Sequence, residues 1–94
     1  MFTNAQQMHK NDSDFYAPDL DEVKDKLIPG DYIKVREIDL NGGNGERYWI
    51  KVTNIDWPGR TIHGTVANEL ICHDRKHGSK IMVEAVNVYD LMLQ

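Results

Sequence analysis

Side chains that zinc favours recur in the C-terminal half of the chain, at His63, Cys72, His73 and His77. A structural zinc site normally needs four thiolate or imidazole ligands arranged as a tetrahedron. Cys72 and His73 are adjacent, however, so on an extended chain they point to opposite faces. The chain has a single cysteine and therefore no Cys-x-x-Cys pair. We expect no metal site here, but an exposed polar loop in which Cys72 is half-buried.

Covalent catalysis by Cys72 would need a histidine base that faces the thiol, together with donors for an oxyanion. His73 is its direct neighbour in sequence and cannot easily face it. The glycine-rich run at 42–45 is followed by neither a helix pattern nor a Lys-Ser/Thr pair, which a phosphate-binding loop requires. We therefore predict that the protein is not an enzyme and uses no cofactor.

Trp49 is the strongest candidate for a binding residue. Tyr48, Ile50 and Val52 alternate around it with the period of a β-strand, so Trp49 points away from the face that they bury. An outward tryptophan among basic residues is typical of a protein hot spot, and it can also stack a single-stranded base. The predicted binding residues are Trp49, Trp57, Arg36, Lys51 and Lys34.

Two structural questions about the tryptophans stay open at this point. A predicted helix carries the apolar stripe Leu20, Val23 and Leu27, which could cover Trp49 in place of a partner. Trp57 occupies the tip of a tight turn that a Pro-Gly pair defines. From there it either folds back onto the protein or contacts a partner.

Charge is distributed unevenly along the 94 residues, whose net charge is −4. Positions 1–26 carry six acidic residues and three lysines, whereas the remaining positions carry nine acids and eight bases. This balance disfavours a general nucleic-acid binder, which usually shows a basic footprint. Residues 1–17 are predicted to form a flexible acidic tail, with an arm that docks on a basic partner as the alternative.

Composition also bears on the compartment. The single cysteine excludes an internal disulfide and fits a reducing environment. The N-terminus has neither the basic nor the apolar region of a secretion signal. No apolar run approaches the length of about 20 residues that spans a bilayer. We expect a cytoplasmic protein that does not associate with membranes.

Residues 18–94 are predicted to form one β domain with a leading helix. The helix covers 19–27 and ends at Pro29, because proline disfavours helical geometry in the residue before it. Gly64 predicts a bulge or a corner inside a strand. Alternating runs predict strands at 32–38, 47–55, 60–66, 80–84 and 88–91. This pattern predicts a mostly β fold, a small antiparallel SH3-like or OB-like barrel of about five strands with a short N-terminal helix.

Several short motifs follow one another in a recognisable order. They are Pro-Gly-Asp-Tyr-Ile-Lys-Val at 29–35, Glu-Arg-Tyr-Trp-Ile-Lys-Val at 46–52, Ile-Asp at 55–56, Gly-Thr-Val-Ala-Asn-Glu-Leu at 64–70, His-Gly at 77–78 and Val-Tyr-Asp at 88–90. Over residues 27–91 the chain resembles a family of small bacterial and phage-encoded proteins of unknown function. Gly-Ser at 78–79 departs from the Gly-Asp that often opens the fourth strand in such families. The resemblance implies a β fold and a prokaryotic or phage source, and it brings no catalytic residue.

The sequence therefore predicts a non-catalytic protein-binding module. If the resemblance holds, the module is an accessory factor of a phage or mobile element that binds and modulates a host protein. The alternative is a small nucleic-acid-binding barrel, which the net charge disfavours. It would use the same strand face, formed by Lys34, Arg36, Trp49 and Lys51. A small-ligand or metal-dependent activity at the His/Cys loop is the third hypothesis.

Overall fold

The computed structural model describes residues 2–11, 17–38, 45–67 and 78–93. Its elements are helices α1 (Ala5–Asn11) and α2 (Leu20–Lys26), strands β1 (Tyr32–Ile38), β2 (Gly45–Asp56), β3 (Thr61–Val66), β4 (Lys80–Glu84) and β5 (Asp90–Met92), and a 3-10 helix (Ala85–Asn87) between β4 and β5. The predicted mostly β fold is confirmed. No helix in these ranges combines the length and the apolar character needed to cross a membrane.

All five strands belong to one antiparallel sheet in the order β4-β3-β2-β1-β5. Strands β1 to β4 pair with their neighbours in sequence, and β5 returns to the other side of β1. The antiparallel pairing of five strands agrees with the prediction. Within the described residues β4 and β5 do not pair, so the sheet is open there and the barrel stays a prediction.

The inner face of the sheet forms the main hydrophobic core. In β1, buried and half-exposed positions alternate, and Ile33 and Val35 are fully buried. The other strands contribute Tyr48, Ile50, Val52, Ile62, Val66, Ile81 and Val83. The stripe of α2 packs on this face, with Val23 and Leu27 buried and Leu20 at the margin. A helix of seven residues depends on this packing, because it is too short to be stable alone.

A β-bulge interrupts the pairing of β2 with β3. Val52 pairs with Gly64, and the next pair joins Asn54 to His63, so Thr53 is the extra residue in β2. The hydroxyl of Thr53 donates to the carbonyl of His63 at 3.2 Å. The bulge that Gly64 predicts is therefore confirmed.

The bulge reverses the alternation of inward and outward residues along β2. Before it, the even-numbered residues Tyr48, Ile50 and Val52 are buried, whereas after it the odd-numbered Ile55 packs on the core. One extra residue has this effect because side chains of a strand alternate with a period of two.

Residues 2–11 belong to the segment predicted as a flexible tail, and the structure places them against the sheet. Phe2 bridges Glu37 of β1, beyond the segment of β1 that pairs with β5. α1 follows, and its Ala5 is fully buried in a small cluster with Tyr89. The few apolar residues of this segment thus pack against a tyrosine at the far end of the chain. The acidic side chains directly after α1 lie outside the described residues.

The turn between β2 and β3 ends at Arg60, which adopts the left-handed conformation with a φ of 59°. This conformation costs a residue with a Cβ atom about 1 kcal/mol relative to glycine. We expect Arg60→Gly to raise the free energy of unfolding by about 1 kcal/mol in urea denaturation. Arg60→Ala keeps the Cβ atom and should give no gain. An equal gain in both variants would assign the effect to the arginine side chain and not to the backbone.

Candidate binding face

The outer face of the sheet, opposite the core, gathers basic side chains around Trp49. Outward positions of β1 lie beside outward positions of β2, so Lys34 pairs with Trp49, and Arg36 pairs with Arg47. Lys51 is the next outward residue of β2 after Trp49, and it lies in the part of β2 that also pairs with β3. We define the basic face by six outward residues, namely Lys34, Arg36, Arg47, Trp49, Lys51 and Lys80.

Four of the five predicted binding residues share this face, namely Lys34, Arg36, Trp49 and Lys51. The sequence analysis did not select Arg47 or Lys80. Arg47 and Trp49 are two positions apart in β2, so their side chains point to the same side of the sheet. The alternation of β2 could therefore have identified Arg47 from the sequence. Lys80 reaches the face because β4 pairs with β3, and no local pattern gives that register.

Trp49 is half-buried, and Lys34 lies over its ring. The Nζ atom of Lys34 is 5.5 Å from the ring centroid, within the range of a cation–π interaction. Asp90 of β5 is the register partner of Lys34 on the side away from Trp49. A tryptophan held in this way offers rigid contact area to a partner at a low cost in side-chain entropy.

The stripe of α2 does not cover Trp49. Val23 and Leu27 pack with the inward residues of the sheet, on the side opposite Trp49. This answers the first of the two open structural questions, because the apolar stripe of the helix is not what covers Trp49. The physical reason is that the inner face carries the large apolar surface, and burial of that surface drives the helix there.

Trp57 does not join the basic face. It packs against the main core together with Ile55 and is half-buried. The bulge at Thr53 explains this position, because it sends residues with the parity of Trp49 to the opposite side of the sheet. Eight positions separate the two tryptophans, which is roughly 20 Å or more along a strand. The structure thus separates two residues that the sequence analysis placed on one binding face.

The basic face differs in charge from the chain as a whole. It holds five of the 11 lysines and arginines, although the net charge is −4. In the described strands, outward acidic residues are Asp90 beside Lys34, and Asp56 and Glu84 at the opposite end of the sheet. Among the described residues of the sheet, this separation leaves an excess of positive charge on the basic face, and such an excess attracts anionic groups.

A groove of about 460 Å³ opens on the outer face over β3 and β4, with Thr65, Lys80 and Met82 in its lining. A second recess of about 290 Å³ is lined by Tyr32 and Lys51, and it also includes Thr65. The two adjoin because they share this threonine. We call the larger one the outer groove. It places concave surface directly beside the basic face.

The described residues contain no group of three His, Cys, Asp or Glu side chains that could hold a metal ion. His63 lines the outer groove. Its proposed companions Cys72, His73 and His77 lie outside the described residues. The expected absence of a metal site, a cofactor and covalent catalysis therefore stays a prediction.

No protein-family model, curated protein or solved structure matches this chain. The resemblance to small bacterial and phage proteins therefore stays an expectation. The basic face and the outer groove are therefore the features of the protein that bear on its function.

Proposed function

We propose that the protein is a non-catalytic protein-binding module that uses the basic face to bind an acidic surface of its partner. The observation that carries this proposal is the concentration of five bases around Trp49 in a chain of net charge −4. Bases of this kind steer an acidic partner toward the face. The tryptophan provides the aromatic anchor that protein interfaces typically have near their centre.

The same proposal includes closure of the sheet into an SH3-like barrel. Three features support it: β5 lies beside β1, a 3-10 helix directly precedes β5, and a bulge bends β2. In such a barrel the side chains of the inner face fill the interior. The basic face then remains outside and accessible to a partner.

Single-stranded nucleic acid is the second candidate ligand, because lysines around a tryptophan on a sheet can hold phosphates and stack a base. Two observations favour a protein. The ammonium of Lys34 already occupies one side of the Trp49 ring, where a base would stack. A long polyanion would extend past the basic face, and there the net negative charge of the protein, −4 in total, repels it.

The identity of the partner follows from the resemblance alone. On that basis the partner is a host protein, which the module binds and modulates as an accessory factor of a phage or mobile element. The single cysteine is compatible with the reducing environment of the cytoplasm. Identification of a captured partner tests this part of the proposal.

Trp49→Ala is expected to weaken partner binding about 30-fold or more, because truncation of a central aromatic anchor costs about 2 kcal/mol or more. The protein serves as bait in a bacterial lysate, and titration calorimetry then gives the Kd of the purified partner for each variant. The association rate should fall as salt increases, since screening weakens the steering by the basic face.

Trp57→Phe is the matched control, because it changes the other tryptophan and keeps an aromatic ring against the core. It also leaves Trp49 as the sole tryptophan, so that its fluorescence reports on the basic face. Circular dichroism establishes that both variants are folded. The proposal is contradicted if folded Trp49→Ala binds the partner as tightly as the wild type. It is also contradicted if the face binds oligo(dT) and no captured protein.

A further inference from the structure

We propose that the outer groove is a recognition site for an acidic, extended peptide segment whose carboxylate binds between Lys51 and Lys80. The inference rests on the proposed function and deepens it, because it names the part of the partner that the module recognises. Three observations support it. Lys51 and Lys80 lie in one row across the sheet, and neither lysine pairs with another described residue. The exposed apolar side chain of Met82 lies next to this row.

Lys51, Thr65 and Lys80 form one row across three strands. The register pairs Lys51 with Thr65, and Thr65 with Lys80. Neighbouring strands are about 4.8 Å apart, so the two lysine Cα atoms lie roughly 10 Å from each other. The long lysine side chains can therefore approach a single anion above Thr65, and the threonine hydroxyl can donate to it.

Neither lysine of this row is neutralised by another described residue. The side chains of Lys51 and Lys80 are exposed, and within the described ranges neither forms an ion pair or a hydrogen bond. Like charges in one row repel each other, so an anion between them relieves the repulsion and pairs with both. Charge complementarity therefore indicates a ligand with a negative group.

An apolar side chain lies next to the lysine row along β4. Met82 is two positions after Lys80, lines the outer groove and is 60% exposed. Its register partner His63 also lines the groove. Alternate residues of an extended segment point to the same side, so an acid above Thr65 brings the residue two positions away over Met82. The expected recognition pattern is an acidic residue, any residue and an apolar residue.

The groove favours a peptide over single-stranded nucleic acid. Its described lining contains Ile81 and Met82 and no tryptophan, tyrosine or phenylalanine, which are side chains that stack bases. Tyr32 lines the adjoining recess, on the side of Lys51 away from the groove. An extended peptide instead supplies alternate side chains for the acidic and the apolar positions.

NMR titration of the ¹⁵N-labelled full chain tests the site with defined probes. The first probe is a capped peptide of glutamate, serine and leucine in which each glutamate is two positions from a leucine. The second has glutamine in place of every glutamate, and the third is oligo(dT) of matched charge. We expect the acidic peptide to shift the amides of Thr65, Lys80 and Met82. The glutamine peptide and oligo(dT) should leave these amides unchanged.

The double variant Lys51→Gln/Lys80→Gln should raise the Kd of the acidic peptide about tenfold, since each exposed ion pair contributes up to about fivefold. Lys24→Gln/Lys26→Gln is the matched control, because it removes the same charge from exposed positions of α2. We expect the control to change the Kd less than about twofold.

Three outcomes would overturn the inference. One is equal weakening by both double variants, which would indicate attraction by net charge and no specific site. Another is a stronger shift of the groove amides by the glutamine peptide or oligo(dT). The third is no shift with the acidic peptide up to about 1 mM. All three leave the proposed function standing, because the effect of Trp49→Ala on the captured partner tests the basic face separately.

Discussion

Gly64→Ala is expected to lower the free energy of unfolding by about 3 kcal/mol or more, which is a large share of the stability of a domain of this size. Gly64 faces the point where the bulge brings β2 close to β3. A Cβ atom there would overlap the carbonyl oxygen of Lys51 and the side chain of Ile50. Neither can yield cheaply, because one is strand backbone and the other is buried in the core.

Gly45→Ala is the matched control for this prediction. Gly45 also lies in β2, but its added Cβ would meet only the guanidinium end of Arg36, which can move aside. We expect this variant to change stability by less than about 1 kcal/mol. Urea denaturation followed by tryptophan fluorescence measures both variants. Equal stability of the two would show that the strands can separate at the bulge without cost.

The alternation of residues in the first half of the sheet could be predicted because it is a local property. Tyr48, Ile50 and Val52 occupy every second position, and the structure buries all three. The outward direction of Trp49 follows from the same period. Lys34 and Lys51 lie on the same face as Trp49 because β1 and β2 pair without a bulge, so the alternation of side chains is kept along the whole hairpin.

The position of Trp57 could not be predicted by the same argument. Strand parity is reliable only while the strand is regular, and the extra residue Thr53 shifts it by one. Gly64 predicted a bulge or a corner in β3, but it did not reveal which residue of the facing strand would be extra. The local sequence thus indicated that a strand is irregular near Gly64. It did not indicate that this irregularity would turn Trp57 toward the core.

The buried Glu37 shows another limit of sequence reasoning. It occupies an inward position of β1 and is 4% exposed. The Tyr48 hydroxyl donates to it at 2.8 Å, which partly compensates for its burial. A charged residue at the end of a strand pattern normally predicts exposure. The pairing of β1 with β2 brings Tyr48 close and so supplies a hydrogen-bond partner that helps Glu37 to be buried.

The row of Lys51, Thr65 and Lys80 is likewise a product of long-range pairing. Each residue belongs to a different strand, and β3 is separated from β4 by a long connection. Lys51 could be selected from the sequence because it has the same strand parity as Trp49. The sequence analysis had no reason to select Lys80, since register between strands depends on side-chain packing across the whole sheet.

Val23→Asp is expected to lower the free energy of unfolding by about 4 kcal/mol. Val23 is 2% exposed and lies in the main core. The substitution removes the apolar contact of α2 with the inner face, which is worth about 2 kcal/mol. It also buries a carboxylate among apolar side chains, and a charge without a partner there adds several kcal/mol unless the helix detaches. Detachment limits the total cost to the loss of the α2 contacts and the exposure of the core beneath it.

Lys24→Asp separates this effect from the general cost of an aspartate in α2. Lys24 is exposed on the same helix, so its replacement should cost less than about 1 kcal/mol, mainly through the helix dipole. Thermal unfolding by circular dichroism compares the two variants with the wild type. An unchanged melting temperature for Val23→Asp would mean that α2 contributes nothing to the core. A large loss for both variants would instead mean that the helix itself, and not its buried face, is the weak element. The structure predicts a large loss for Val23→Asp alone, because the side chain of Val23, unlike that of Lys24, lies between the helix and the sheet.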